Sequence, residues 1–183
     1  EKTNDAYAIA KIAGIKMCES YNIQYKTNYK CLMPTNTFGP NDHYNALNSH
    51  FLPALIKKVH DLKLNNKKEL TLWGNGLAKR EVIYVDDLAD ACIFFMKKSF
   101  SGTTLNIGTG KDFSIKQYAK KILNKIMPKN KIKIKYDLSK PNGTPRKVLD
   151  IKLANKYGWK PKTKLDEAIT KTYLNFLENN KVV

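Results

Sequence analysis

The chain has 183 residues, with 33 Lys and Arg against 16 Asp and Glu and a formal charge of +17. Its hydrophobic share of 42% supports a packed core and excludes a wholly disordered chain. The length allows one ordinary domain or a large lobe of a bigger protein, and the longest apolar run, Ala91–Met96, is far short of the ~18–20 residues of a membrane helix.

Residues 5–26 read as a helix, with Ala6, Ile9, Ala10, Ala13, Met17 and Tyr21 recurring at spacings of three and four. Asn4 or Asp5 can cap it. Tyr29–Met33 reads as a short strand, and residues 34–48, rich in Asn, Pro and Gly, as a long loop. Loops of that length inside compact domains are usually functional. Ser49 is expected to cap a helix to about Leu64. Glu69–Trp73 reads as a strand, Gly74-Asn75-Gly76 as a turn and Glu81–Val85 as an extended segment. Asp86 is expected to cap a helix from Asp87 to about Lys98, with Leu88, Ala91, Cys92 and Phe95 on one face. Thr103–Ile107 reads as a strand that ends in Gly108-Thr109-Gly110. Ser114 caps a further helix to about Met127, and Lys131–Tyr136 alternates Ile with Lys like a strand with one wet face. A loop over 137–147 and a helix over 165–177 close the chain.

The basic composition raises nucleic acid as an alternative partner. Of the 33 basic residues only Arg80 and Arg146 are Arg, and the lysines are spread along the chain. Specific phosphate and base recognition draws on Arg's planar fork, so a lysine-biased surface is expected instead of a nucleic-acid module. Cys18, Cys31 and Cys92 form no C-x-x-C pair and read as buried small side chains in a reducing cytoplasm. His43, His50 and His60 lack any metal-ligand spacing, so no metal is expected.

Strands and helices alternate, which points to an α/β fold. A doubly wound nucleotide domain should open on a strand, a glycine-rich turn and a helix. No G-x-G-x-x-G occurs, and the chain opens at Glu1 without an initiator Met. It therefore reads as the second half of a nucleotide-binding enzyme. Tyr7-x-x-x-Lys11 puts a phenol and an ammonium on one helix face, with Cβ atoms ~5–6 Å apart. A cation at that distance favours phenolate, and a phenol so tuned can move a proton at a carbonyl or alcohol oxygen.

Three further segments follow in order: Met33-Pro-Thr-Asn-Thr-Phe-Gly-Pro40, Trp73-Gly-Asn-Gly-Leu-Ala-Lys-Arg-Glu81 and Tyr84-Val-Asp-Asp-Leu-Ala89. With Tyr7 and Lys11 they resemble the extended short-chain dehydrogenase/reductase family of sugar-nucleotide enzymes. Residues 7–21, 48–55 and 139–147 are similar to the members that epimerise and reduce GDP-4-keto-6-deoxymannose. The resemblance runs over nearly the whole chain. It implies residues 1–40 as the end of a Rossmann cofactor domain. Residues 41–183 are then mainly a smaller α/β substrate domain, with 80–110 returning to the Rossmann side.

The resemblance also implies roles. Tyr7 is the proton donor to the C4 oxygen while NADPH delivers hydride. Lys11 holds the nicotinamide ribose. Pro34, Thr35, Asn36 and Thr37 lie beside the nicotinamide, with His50 nearby as the acid of the C3/C5 epimerisation; its ordinary pKa near ~6.5 suits that work. Lys58, Trp73 and Arg80 contact a GDP-sugar. Asn142 stands where many members carry Asp, and keeps a hydrogen-bonding carbonyl without the charge. Asp86 and Asp87 are read as a cap and a first-turn residue. The family's glycine-rich loop, active-site Ser and catalytic Cys are expected upstream of Tyr7, so this chain alone is expected to be inactive. NADP as cofactor, a GDP-deoxysugar such as a GDP-6-deoxy-heptose as alternative substrate, and a homodimer through helices 5–26 and 49–64 complete the expectations.

Overall fold

The structure is a computed structural model and describes residues 5–45, 49–98 and 100–179. The Asn4 cap and the 46–48 end of the long loop lie outside the described residues. Among the described residues fourteen elements follow one another, beginning with α1 (Asp5–Tyr25), β1 (Cys31–Pro34), β2 (Asn36–Phe38), α2 (Phe51–Leu64), β3 (Glu69–Trp73), β4 (Lys79–Tyr84) and α3 (Val85–Lys97). Then come β5 (Thr104–Ile107), β6 (Asp112–Ser114), α4 (Ile115–Ile126), β7 (Lys133–Asp137), β8 (Arg146–Lys147), α5 (Lys152–Lys156) and α6 (Leu165–Asn179).

Three small sheets carry the topology. β1 pairs with β5 in parallel, Cys31 opposite Thr104. β3 pairs with β7 in parallel, Glu69 opposite Lys133. β4 is the hub: β2 and β8 run parallel to it and β6 antiparallel. The mixed α/β class expected from the sequence is the class observed. β2 and β8 fall in segments that the sequence reads as loop, and β6 in a stretch to which it assigns no element, because two- and three-residue strands carry no periodicity of their own. α5 likewise spans only five residues.

Two cores flank β4, because its side chains alternate sides. Val82 and Tyr84 join the larger core with Leu52, Ile56, Val59, Tyr118, Ile122 and Ile169. Ile83 joins the smaller one with Ala91, Phe95, Leu105, Ile107, Ala154 and Trp159. Helix α2 enters the larger core through Leu52, Leu55, Ile56, Val59 and Leu62, one stripe at helical spacing. Each such side chain contributes roughly 1.5–3 kcal/mol on burial.

The helix caps divide. Ser114 builds a full capping box with Gln117, as its sequence predicts. Ser49 does not cap α2; the N-cap is His50, and its side chain makes no cap bond. Asp86 does not cap α3, which starts at Val85 behind Tyr84. Asp87 does sit in the first turn, but it is buried and used elsewhere. Its carboxylate accepts the N–H groups of Lys162 and Thr163 and the Thr163 hydroxyl, each at 3.1 Å. Two aspartates on α3 thus fasten the segment before α6, since Asp90 accepts from Trp159 Nε1 and Lys162 Nζ, each at 3.0 Å. The cysteines depart from expectation: Cys92 is exposed, and Cys18 and Cys31 are half-buried.

Candidate functional site

A cavity of about 330 Å³ opens between α2, the β3–β4 turn and the 137–147 loop. Phe51, Ala54, Leu55 and Lys58 line it from α2, because positions 51, 54, 55 and 58 recur on one helix face, and Ser49 lines it from just ahead of the helix. Leu72, Trp73 and Arg80 line it from β3 and β4, and Pro141 and Asn142 from the loop. The structure therefore brings Lys58, Trp73, Arg80 and Asn142 to one place, although they are far apart in sequence. Tyr7 and Lys11 do not line it. His50 stands between two residues that do, with its side chain exposed.

Each of the four is held by its surroundings. Lys58 Nζ lies 5.2 Å from the centre of the Trp73 ring, within cation–π reach. Burial pushes the Lys58 ammonium below the ordinary lysine value. Among the described residues no carboxylate pairs with it. Lys140 Nζ approaches the same ring at 5.8 Å, and the indole remains 60% exposed, so an apolar surface is flanked by two cations. Arg80 Nη1 donates to the carbonyls of Lys79 (2.7 Å) and Thr144 (2.6 Å). That tethers the guanidinium to the 137–147 loop and leaves the rest of its fork for a ligand.

Asn142 is used differently from expectation. Its Oδ1 accepts the Asn75 N–H at 2.7 Å, so the carbonyl goes to the turn and the amide NH2 is the group left for a ligand. Gly74 in that turn has φ +64, and a Cβ there would stand 2.4 Å from Asn142 Oδ1. Glycine is thus required for both backbone conformation and close approach.

The expected cofactor residues lie on two separate segments, α1 and the β1–β2 stretch. On α1, Lys11 Nζ lies 5.4 Å from the Tyr7 ring centre, and Tyr7 is 60% exposed. Pro34 ends β1, and Thr35–Thr37 lead into and through β2. Thr35 N–H donates to Ile107 O (3.0 Å), and Thr35 Oγ1 (3.2 Å) and Asn36 Nδ2 (2.9 Å) both donate to Glu81 O. Thr37 Oγ1 donates to Thr35 O at 3.3 Å.

Glu81 is the residue that sequence reasoning missed. It is wholly buried. Its Oε1 accepts the N–H groups of Thr109 (2.6 Å) and Gly110 (2.7 Å) and the Thr109 hydroxyl (3.3 Å). Its Oε2 accepts Leu149 N–H at 2.7 Å. A Cβ at Gly108 would fall 2.3 Å from Oε1, which explains the glycine there. Carboxyl and carbonyl together tie the 34–37 segment to residues 108–110 and 149, one position from Arg80. An acid directly before the apolar run Val82-Ile83-Tyr84 of the same strand was the available signal.

No group of three or more metal-ligating side chains occurs among the described residues, and no described helix is long and apolar enough to cross a membrane.

Residues 1–108 match the family described as NAD dependent epimerase/dehydratase. GDP-L-fucose synthase 1 of Arabidopsis thaliana is 42% identical over 179 residues, which is 98% of this chain and 55% of the relative. A GDP-L-fucose synthetase from Naegleria fowleri, solved bound to NADP, superposes with a TM-score of 0.88 at 26% identity, over 100% of this chain and 59% of the other. A GDP-6-OMe-4-keto-L-xylo-heptose reductase from C. jejuni gives 0.85 at 33% identity, over 97% and 62%. The chain spans about half the length of the curated relatives it matches. With a match over more than half of its residues, on a mixed α/β fold shared with these structures, the chain belongs to the NAD dependent epimerase/dehydratase family.

Proposed function

We propose that the full-length protein is an NADPH-dependent epimerase-reductase that converts GDP-4-keto-6-deoxy-D-mannose to GDP-L-fucose. The observation that carries this reading is the cavity in which Lys58, Trp73, Arg80 and Asn142 meet. A nucleotide diphosphate needs cationic donors, which Lys58 and Arg80 supply. A base or sugar face needs an apolar plane, which Trp73 supplies. A sugar or ribose oxygen needs a neutral donor, which the Asn142 amide supplies.

The residues of α1 and the β1–β2 stretch fit a nicotinamide cofactor. Lys11 can hold ribose hydroxyls, and Tyr7 lies one helical turn away on the same face. Pro34, Thr35, Asn36 and Thr37, fixed on Glu81 and Ile107, would flank the nicotinamide, with His50 nearby. NADPH, when bound, would supply hydride at C4. The Tyr7 hydroxyl gives its proton to the C4 oxygen, with Lys11 Nζ lying 5.4 Å from its ring centre. His50, exposed and making no cap bond, serves as the acid at C3 and C5. The two cores on either side of β4 support a division into a cofactor part and a substrate part, with Ala154 and Trp159 packed in the smaller core beside Ile83, Phe95 and Leu105. The reading carries with it a cytoplasmic homodimer without nucleic acid as partner.

The test is turnover of GDP-4-keto-6-deoxymannose by the full-length protein, followed as NADPH consumption. Tyr7→Phe is expected to abolish reduction while GDP-sugar binding stays largely intact. His50→Gln should slow epimerisation more than reduction. Full reductase activity in Tyr7→Phe would remove the proton-donor role. The heptose reductase among the similar structures favours one other substrate. Consumption with a GDP-heptose but not with the mannose derivative would move the assignment there.

A further inference from the structure

We infer that the Ser49 hydroxyl is a ligand contact of the cavity, reserved for an oxygen on the sugar half of the bound nucleotide sugar. The inference rests on the reading of that cavity as a nucleotide-sugar site.

Three buried side-chain oxygens among the described residues have no hydrogen-bond partner: Tyr44 OH, Ser49 Oγ and Asn155 Oδ1. Only Ser49 lines one of the cavities described. Its backbone is satisfied, since Ser49 N–H donates to Asn45 O at 3.1 Å. The hydroxyl alone is left over. Local structure does not absorb it either. A serine ahead of a helix ordinarily bonds to the first-turn N–H groups, and Ser114 does so through Gln117. Ser49 sits one position too early, because His50 takes the N-cap of α2.

A buried hydroxyl without a partner costs free energy in the empty protein, and few are kept. Ser49 lines the cavity together with Lys58, Arg80 and Asn142, and its hydroxyl, covered in the empty protein, is satisfied once a turn about χ1 brings it to a ligand there. Chemistry narrows which part of the ligand. Lys58 and Arg80 only donate and carry charge, and so suit phosphate oxygens; the Asn142 NH2, a neutral donor, suits a sugar or ribose oxygen that accepts. A serine hydroxyl both donates and accepts, and so suits a sugar hydroxyl, which does the same. Ser49 also adjoins His50, the residue assigned above to proton transfer on the sugar ring.

The two roles open to this hydroxyl predict opposite signs. If it were an internal structural contact, Ser49→Ala would destabilise the ligand-free protein. As a ligand contact, Ser49→Ala removes an unsatisfied polar group, so the ligand-free melting temperature stays level or rises. Affinity for GDP-L-fucose then falls by about 5- to 10-fold, while affinity for GDP is unchanged. Ser49→Cys, nearly the same size but a weak donor, should follow the same pattern. Calorimetric titration of the full-length protein with both ligands, beside thermal melts, reads all of this.

A lower melting temperature with both affinities unchanged would overturn the inference. Equal weakening of GDP and GDP-L-fucose would move the contact to the nucleotide half and overturn the sugar assignment. Arg80→Ala separates the two levels. If Arg80→Ala loses GDP binding but Ser49→Ala changes nothing, only the Ser49 contact is wrong. If Arg80→Ala leaves GDP binding intact, the cavity itself is misread.

Discussion

Helices α1 and α2 carry the two halves of the candidate chemistry and are packed in opposite ways. α2 has 14 residues and buries six of them. α1 has 21 residues and buries none. Its apolar side chains point in all directions: Tyr7, Ile9, Ile12, Met17, Tyr21, Ile23 and Tyr25 are all exposed. On α2 the apolar residues form one stripe that meets one core, whereas within this chain, which spans about half the length of its curated relatives, α1 has only the face of Ala8, Ile15 and Cys18 half-buried. The contrast teaches that the residues around the cavity are positioned by packing within this chain. Tyr7 and Lys11 are positioned only by the helix they share.

The harshest way to sharpen this contrast is Glu81→Ala in the packed half. It would leave the N–H groups of Thr109, Gly110 and Leu149 without their acceptor. At about 1–3 kcal/mol for each buried group left unpaired, a loss of at least about 3 kcal/mol is expected in urea unfolding. A loss below about 1 kcal/mol would mean that water replaces the carboxyl and that Glu81 is not the tie described.

A matched pair of variants tests the helices directly. Leu52→Ala on α2 removes a side chain 1% exposed and is expected to cost about 2–5 kcal/mol. Ile12→Ala on α1, 56% exposed, is expected within about 0.5 kcal/mol of the parent. Equal losses would break the comparison, because α1 would then be packed against something.

The smallest effect is a pH dependence inside the packed half. His60 bonds to the Tyr173 hydroxyl at 3.0 Å and packs on the Phe176 ring. Burial pulls its pKa below the usual 6.5, with Lys57 and Lys63 acting the same way and Asp61 opposing. The unfolded chain therefore binds the proton more readily, so stability falls as pH drops below the ordinary value and levels off below the folded one. Melting temperatures at about pH 7.5 and about pH 5.5 should differ by more in the parent than in His60→Phe.

Much of this was legible in sequence, and the reasons separate cleanly. Glu69–Trp73 alternates and is a strand with those bounds. Ser114 and Gln117 spell out a capping box. The helix over Asp5–Tyr25 needs only the absence of Pro and a run of helix formers. What failed depends on partners distant in the chain. β6 and β8 exist because β4 supplies their hydrogen bonds. Ser49 and Asp86 have the right chemistry for caps but lie one residue before and two residues after the cap position. Asp87 looked like a helix-start acid, and nothing local foretold that it fastens residues 162 and 163. At the site, the positions of Lys58, Trp73, Arg80 and Asn142 came from motif resemblance, but their meeting in one cavity and the hidden tie at Glu81 needed the fold.

The pairing of β1 with β5 carries a kinetic consequence. Cys31 sits opposite Thr104, an offset of 104 − 31 = 73 residues, with β2, α2, β3, β4 and α3 strung between. Closing a loop of that size costs about 4 kcal/mol of chain entropy before a single ladder bond forms. α2 and β4, whose neighbours include residues much nearer in sequence, face smaller costs. The strand that leads into Thr35 and Asn36 is therefore expected to dock late in folding and to exchange its amide hydrogens early in unfolding. The segment assigned to the nicotinamide is then the one whose order ligands can most readily improve.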